Sequence, residues 1–80
     1  MKIYDYNGRK NICGDRLRDA RVVQRLRQED LAARIQTMGV NMERDSISRI
    51  EIGTRFVSDF ELKVFAKALG VSVDWLLENE

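Results

Sequence analysis

The sequence predicts an all-α fold: a compact set of five short helices preceded by a short N-terminal arm. Three observations carry this. The chain contains no Pro, and after Gly14 no stretch shows the sustained apolar–polar alternation of a half-buried strand. Apolar residues recur instead at i, i+3, i+4 and i+7, the spacing of one helix face. Glycines and capping residues then divide the chain into segments of roughly two to three turns. With 80 residues there is room for one domain only.

Residues 1–12 form the arm and residues 13–80 the helical domain. In the arm, Ile3-Tyr4-Asp5-Tyr6 and Arg9-Lys10-Asn11-Ile12 flank Asn7-Gly8, the preferred type I′ turn pair, so the arm is either a small hairpin or an extended or disordered segment. A lone two-stranded ribbon is marginal in water and would have to pack on the body or a partner. The first helix is expected over 14–25, with Leu17 and Ala20 inward and most of its arginines outward. The second runs over about 28–38, with Leu31, Ala32, Ile35 and Met38 on one face, Glu29 and Asp30 in its first turn, and Gly39 as terminator. The third covers about 43–51, with Ile47 and Ile50 inward and Gly53 beyond its end. The fourth, 59–69, is the clearest. Ser58 caps it, Glu61 completes a capping box, Val57 and Leu62 form a hydrophobic staple, and Leu62, Phe65, Ala66 and Leu69 make its apolar face up to Gly70. The last, about 73–78, starts at the cap Ser72 and presents Val73, Trp75, Leu76 and Leu77.

Composition excludes several kinds of chemistry. There is no His and one Cys, so Ser-His-Asp and Cys-His catalysis are ruled out and a zinc site of the usual ligands nearly so. The same lone Cys13 cannot make an internal disulfide. No metal or other cofactor is expected, and with no paired carboxylates beside a pocket signal, no enzyme activity. No apolar run approaches a membrane span and no signal-peptide core is visible, so the expectation is a soluble cytoplasmic protein with no membrane partner.

The formal net charge of +1 conceals a polarity. Residues 9–27 carry seven basic and two acidic side chains, whereas residues 28–80 carry six basic and ten acidic. The basic block either faces an anion or is ordinary salt-bridged helix surface.

Helices two and three have the order of a helix-turn-helix pair. The first opens on an amide, and the second exposes polar residues of the kind that reach base edges from the major groove. The residues here carry a family resemblance. "Gln28-x-x-Leu31-Ala32", "Ile47-Ser48-Arg49-Ile50-Glu51-x-Gly53" and "Ala68-Leu69-Gly70-Val71-Ser72-Val73-Asp74-Trp75-Leu76-Leu77", in that order, resemble the lambda-repressor-like, Xre-type helix-turn-helix family over roughly residues 14–77. The resemblance implies a five-helix domain that binds double-stranded operator DNA, usually as a homodimer on a pseudo-palindrome.

Position by position, the resemblance places Arg44, Asp45, Ser48 and Arg49 on the base-reading face of helix three. Gln28 at the start of helix two, and Thr54 and Arg55 after helix three, would touch the DNA backbone, and Arg21 would pair with Glu51. Arg27 stands where the family has a Ser or Thr cap; it cannot cap through an oxygen and reaches for a phosphate instead. The connection from Ile35 to Ile47 is about five residues longer than usual, so either helix two gains a turn through Gln36-Thr37-Met38 or the turn bulges. Ile52 replaces the common Asn before Gly53.

Each reading has a plainer alternative. Arg44 and Arg49 have the fork that matches guanine, but Arg49 could pair with Asp45 at i, i+4. Asp45 could accept from cytosine or orient an arginine. Trp75 and Phe65 are expected in the core or an interface, away from helix three, and Cys13 is expected to be structural unless its thiol is perturbed. The leading expectation is a sequence-specific transcriptional regulator without a sensor domain, controlled through abundance, a partner or dimerisation. An antitoxin or adaptor on the same fold, using the acidic last helix and a protein partner, is the alternative.

Overall fold

The computed structural model describes residues 5–78, and among these it is all-helical apart from one isolated β-bridge. The elements are α1 (Gly14–Val23), α2 (Gln28–Gln36), α3 (Arg44–Ile52), α4 (Asp59–Leu69) and α5 (Val73–Leu77). Leu17, Leu31, Ile35, Ile47, Ile50, Phe65 and Leu76 are fully buried and form one core to which every helix contributes. α1 is central: it packs on α3, α4 and α5, while α2 packs on α3 and α4.

Local chemistry explains where the helices start. In α4, Ser58 Oγ accepts from Glu61 N–H and Glu61 accepts from Ser58 N–H, the reciprocal capping box. Ser72 Oγ accepts from Trp75 N–H at the head of α5. α2 has half of such a box: its Arg27 N-cap offers no acceptor, but Asp30 Oδ2 accepts from Arg27 N–H at 2.8 Å. The carboxyl of Asp30 is held below its usual range by the Arg27 side chain first, and by that backbone N–H.

Four helices end in the same way. After α1, α2, α3 and α4 a residue with positive φ turns the chain, and the next amide bonds back to the carbonyl five residues before it: Leu26 to Arg21, Val40 to Ile35, Thr54 to Arg49, Val71 to Ala66. This is the Schellman arrangement. Gly39, Gly53 and Gly70 fill the left-handed position after α2, α3 and α4, but after α1 it is Arg25, with φ 59°. The first helix therefore stops at Val23 rather than running through Arg25: the chain is already left-handed there. The carbonyls of Ala68 and Leu69, at the end of α4, accept from Arg34 and Gln24.

The connection from α2 to α3 bulges rather than lengthening α2 as regular helix. Regular α2 ends at Gln36, a tight turn runs through Thr37 and Met38 to Gly39, and Gln36 Nε2 donates to Met42 O at 2.9 Å across the loop. Met38, expected inward, is 40% exposed because the Schellman turn folds Val40 back beside Ile35 in its place. Val40 and Met42 are both buried, so the extra residues contribute to the core.

The arm begins as a tight hairpin turn. Tyr6 and Arg9 exchange both backbone hydrogen bonds around Asn7 (φ 52°) and Gly8 (φ 79°), as a type I′ turn requires. The expected Ile3 and Tyr4 pairing lies outside the described residues. Lys10 to Ile12 leave the ribbon and dock on the body, with Lys10 N–H donating to Gly53 O at 2.8 Å.

Candidate nucleic-acid interface

The end of α3 is built around one buried carboxylate. Glu51 is 7% exposed, so its charge has to be paired within the protein. Arg21 of α1 supplies a two-pronged pair, Nε to Oε2 at 2.7 Å and Nη2 to Oε1 at 3.1 Å, and its Nη1 donates to Leu26 O at 2.7 Å. Gln28 Nε2, from the first turn of α2, donates to the same Oε1 at 3.0 Å. One anion thus ties α1, the head of α2 and the tail of α3 together. The amide of Gln28 points inward to Glu51, which fixes its side chain at the mouth of the helix pair.

A second cluster holds the far side of α3, and nothing in the local sequence pattern announces it. Asn11 Nδ2 donates to Ile50 O at 3.0 Å and Arg55 O at 2.7 Å, while its Oδ1 accepts from Gly14 N–H at 2.8 Å. The arm, the start of α1, the last turn of α3 and the loop after it meet at this one side chain. Beside it the Arg9 guanidinium lies against Gly53, so closely that a Cβ there would stand 2.7 Å from its central carbon. A Cβ at Gly53 would push this flexible side-chain end aside, and the left-handed φ of 100° is the stronger reason for a glycine there. Asn11 bonds to residues 39 and 44 positions away, a separation that capping and periodicity rules do not reach.

Between these two fixations α3 turns its polar face outward. Arg44, Asp45 and Arg49 are exposed and Ser48 is half-buried. Among the described residues neither arginine has an ion-pair partner, and the i, i+4 pair of Asp45 with Arg49 is not formed. Thr54 is exposed at the end of α3, its hydroxyl donating to Arg49 O. Arg27 is exposed at the head of α2 and paired with Asp30 at 3.3 Å and, more loosely, Glu29.

Arg55 is placed differently from a free backbone-binding cation. Its guanidinium is half-buried, paired through both terminal nitrogens with Glu61 at 3.2 Å, and donates to Phe56 O. Burial pushes the Glu61 carboxyl up, but the hydrogen bonds from Arg55 and Ser58 outweigh it and leave the pKa below its usual value.

Four of the seven basic side chains of residues 9–27 are ion-paired within the protein. Arg9 meets Asp15 and the tail of α3, Arg21 meets Glu51, and Arg27 meets Asp30. Arg16 stacks 4.7 Å from the Trp75 ring centre and pairs with Glu78. Of the basic side chains in that block, Lys10, Arg18 and Arg25 have no ion-pair partner among the described residues. Phe65 is in the core and Trp75 packs against it at the α1–α5 contact, away from α3. Cys13 is 2% exposed and burial pushes its thiol up to about 11, opposite to the shift that activates a thiol.

No curated protein and no solved structure matches the chain significantly. A family model does: that of a helix-turn-helix domain, over residues 13–77, most of the chain. The match spans α1 to α5 and includes the α2–α3 pair and the Glu51 cluster between them, so the chain belongs to the helix-turn-helix domain family.

Proposed function

We propose that the protein is a sequence-specific DNA-binding transcriptional regulator that lays α3 in the major groove and acts as a homodimer. The observation that carries this reading is the outer face of α3: Arg44 and Arg49 are solvent-exposed with no charged partner, on a helix held at its far end by two clusters. A guanidinium in that state is available to guanine O6 and N7, and no existing ion pair has to be broken first. Asp45 and Ser48 are the neighbouring groups that would read or space the bases. Arg27 and Thr54 contact the backbone on either side, whereas Gln28 and Arg55 reach a phosphate only with donors left over from Glu51 and Glu61.

Acidic Glu29 and Asp30 stand in the first turn of α2, and Glu43 and Asp45 at the head of α3, so affinity for arbitrary DNA is weak and oriented contacts matter more. Selection of duplexes from a random pool, followed by anisotropy titration over a salt series, tests the proposal. Enrichment of a short motif, with binding that weakens as salt rises, is expected. A protein that enriches nothing and instead co-purifies with a stoichiometric protein partner supports the adaptor or antitoxin reading. In α5, Leu76 is in the core, Arg16 stacks on the half-buried Trp75, and Leu77 is exposed.

A further inference from the structure

Among the described residues two that are not glycine take a positive φ, Asn7 at 52° and Arg25 at 59°. Asn7 belongs to a type I′ turn, which favours asparagine there. Arg25 is the outlier. It follows α1 in the left-handed position that Gly39, Gly53 and Gly70 fill after the next three helices. A Cβ makes that conformation costly for an arginine. Non-glycine residues in such conformations gather at ligand-binding sites, where the contacts of the side chain offset the strain.

The side chain of Arg25 is not engaged within the protein. It is exposed, and among the described residues its guanidinium makes no hydrogen bond, ion pair or ring contact. Its backbone, by contrast, is fixed. Arg25 N–H donates to Val22 O at 2.9 Å, and Leu26 N–H donates to Arg21 O at 3.0 Å. Arg21 Nη1 donates to Leu26 O, and the same guanidinium holds Glu51, to which Gln28 also donates. The turn is therefore part of the joint between the head of α2 and the end of α3. Two neighbouring cations are already engaged there, Arg21 by Glu51 and Arg27 by Asp30 and Glu29.

We propose that Arg25 binds a backbone phosphate of the DNA at the head of α2, and that the left-handed turn is the conformation that presents it there. In a helix-turn-helix pair the first helix crosses the sugar–phosphate backbone while the second enters the groove. A cation beside the head of α2 then meets phosphate rather than base edges. The contact orients the protein and carries no sequence information itself. The inference rests on the DNA-binding reading above and adds a residue to it. Glycine, which suits this backbone best, carries no charge to offer the phosphate.

Stability and binding are measured on the same variants, by urea unfolding of the free chain and by anisotropy titration, over a salt series, of the duplex that wild type selects. Arg25→Gly is expected to unfold at higher urea than wild type while binding on the order of fivefold more weakly. Its log–log salt slope becomes shallower by about 0.9, the share of one phosphate. Arg25→Lys keeps the wild-type slope, and Arg25→Asn, which tolerates the left-handed turn without the charge, binds as Arg25→Gly does. Selection repeated with Arg25→Gly enriches the wild-type motif, because a phosphate contact weakens binding uniformly across sequences. Lys63→Gln, which removes an exposed cation of α4 that has no ion-pair partner among the described residues, leaves the slope unchanged. Wild-type affinity and slope in Arg25→Gly overturn the proposal, and so does an equal loss in Lys63→Gln, since net charge alone would then account for it. A changed motif overturns the phosphate assignment. A loss of stability in Arg25→Gly overturns it too, because the side chain would then serve the fold. If wild type selects no duplex, the proposed function falls and this contact with it; a selected duplex that Arg25→Gly binds as well as wild type defeats the contact alone.

Discussion

Replacing Asn11 separates what its side chain does for α1 from what it does for α3. Asn11→Ala removes an acceptor for Gly14 N–H and two donations, to Ile50 O and Arg55 O. At about 0.5–1.5 kcal/mol net for each hydrogen bond, the loss is about 2–4 kcal/mol. For a domain of this size that lowers Tm by on the order of 10–30 °C. Asn11→Asp is the informative partner. It keeps the acceptor for Gly14 and adds a negative charge at the head of α1, where the helix dipole favours one by about 0.3–1 kcal/mol. It cannot donate, however, and it turns a carboxylate oxygen toward two carbonyl oxygens. Thermal and urea unfolding should therefore find the Asp variant no more stable than the Ala variant. Hydrogen exchange should show protection lost at Lys10 and Thr54, whose amides bond to Gly53 O and Arg49 O, before it is lost in the core. If Asn11→Asp regains wild-type stability, only the helix cap matters, and the idea that the arm braces the end of α3 is wrong.

Other outcomes follow from the same structure. Arg25 occupies the left-handed position that glycine fills after the next three helices, so Arg25→Gly should stabilise the protein by about 0.5–1 kcal/mol in denaturant unfolding; a loss would show that its side chain makes a contact of value. Arg21→Ala strands the Glu51 carboxylate and should cost about 3–5 kcal/mol, whereas Arg21→Met with Glu51→Leu should recover more than half of that. The Cys13 thiol ionises near 9.0 when unfolded and near 11 when buried, so above pH 9 the unfolded chain holds fewer protons and stability falls. The fall amounts to about 2–3 kcal/mol between pH 9 and 11, and it should be absent from Cys13→Ala, so that it appears as the difference between wild type and variant across that range.

Much of the fold is legible in the sequence because the signals that define it are local. Ser58, Glu61 and Gly70 lie within or beside the helix they delimit, and α4 runs from Asp59 to Leu69 as its caps predict. The pairing partner of Arg21 is visible through the family pattern, and the outward placement of Arg44, Asp45 and Arg49 follows from helical spacing around the inward Ile47 and Ile50. What escapes the sequence depends on long-range geometry or on a residue serving against type. Arg25 reads as one more helical arginine, but its backbone takes the glycine position. Met38 fits the apolar stripe of α2, but the turn at Gly39 hands its place to Val40. Glu61 reads as a capping residue, and the same carboxylate also engages Arg55, which the motif alone points toward DNA. Asn11 looks like one polar residue in a ribbon, and its partners are brought to it only by the packing of α1 on α3.

The central claim is that the exposed face of α3 reads base edges in the major groove. Dimethyl sulfate probing of a selected duplex tests it most directly, because methylation at guanine N7 occurs in the groove that α3 is proposed to occupy. Wild-type protein should protect particular guanines. Arg44→Ala should release protection at one or more of them while weakening binding by about 1–3 kcal/mol, with the other protections retained. Tight binding with no guanine protected, or a protection pattern unchanged by both Arg44→Ala and Arg49→Ala, would contradict the account.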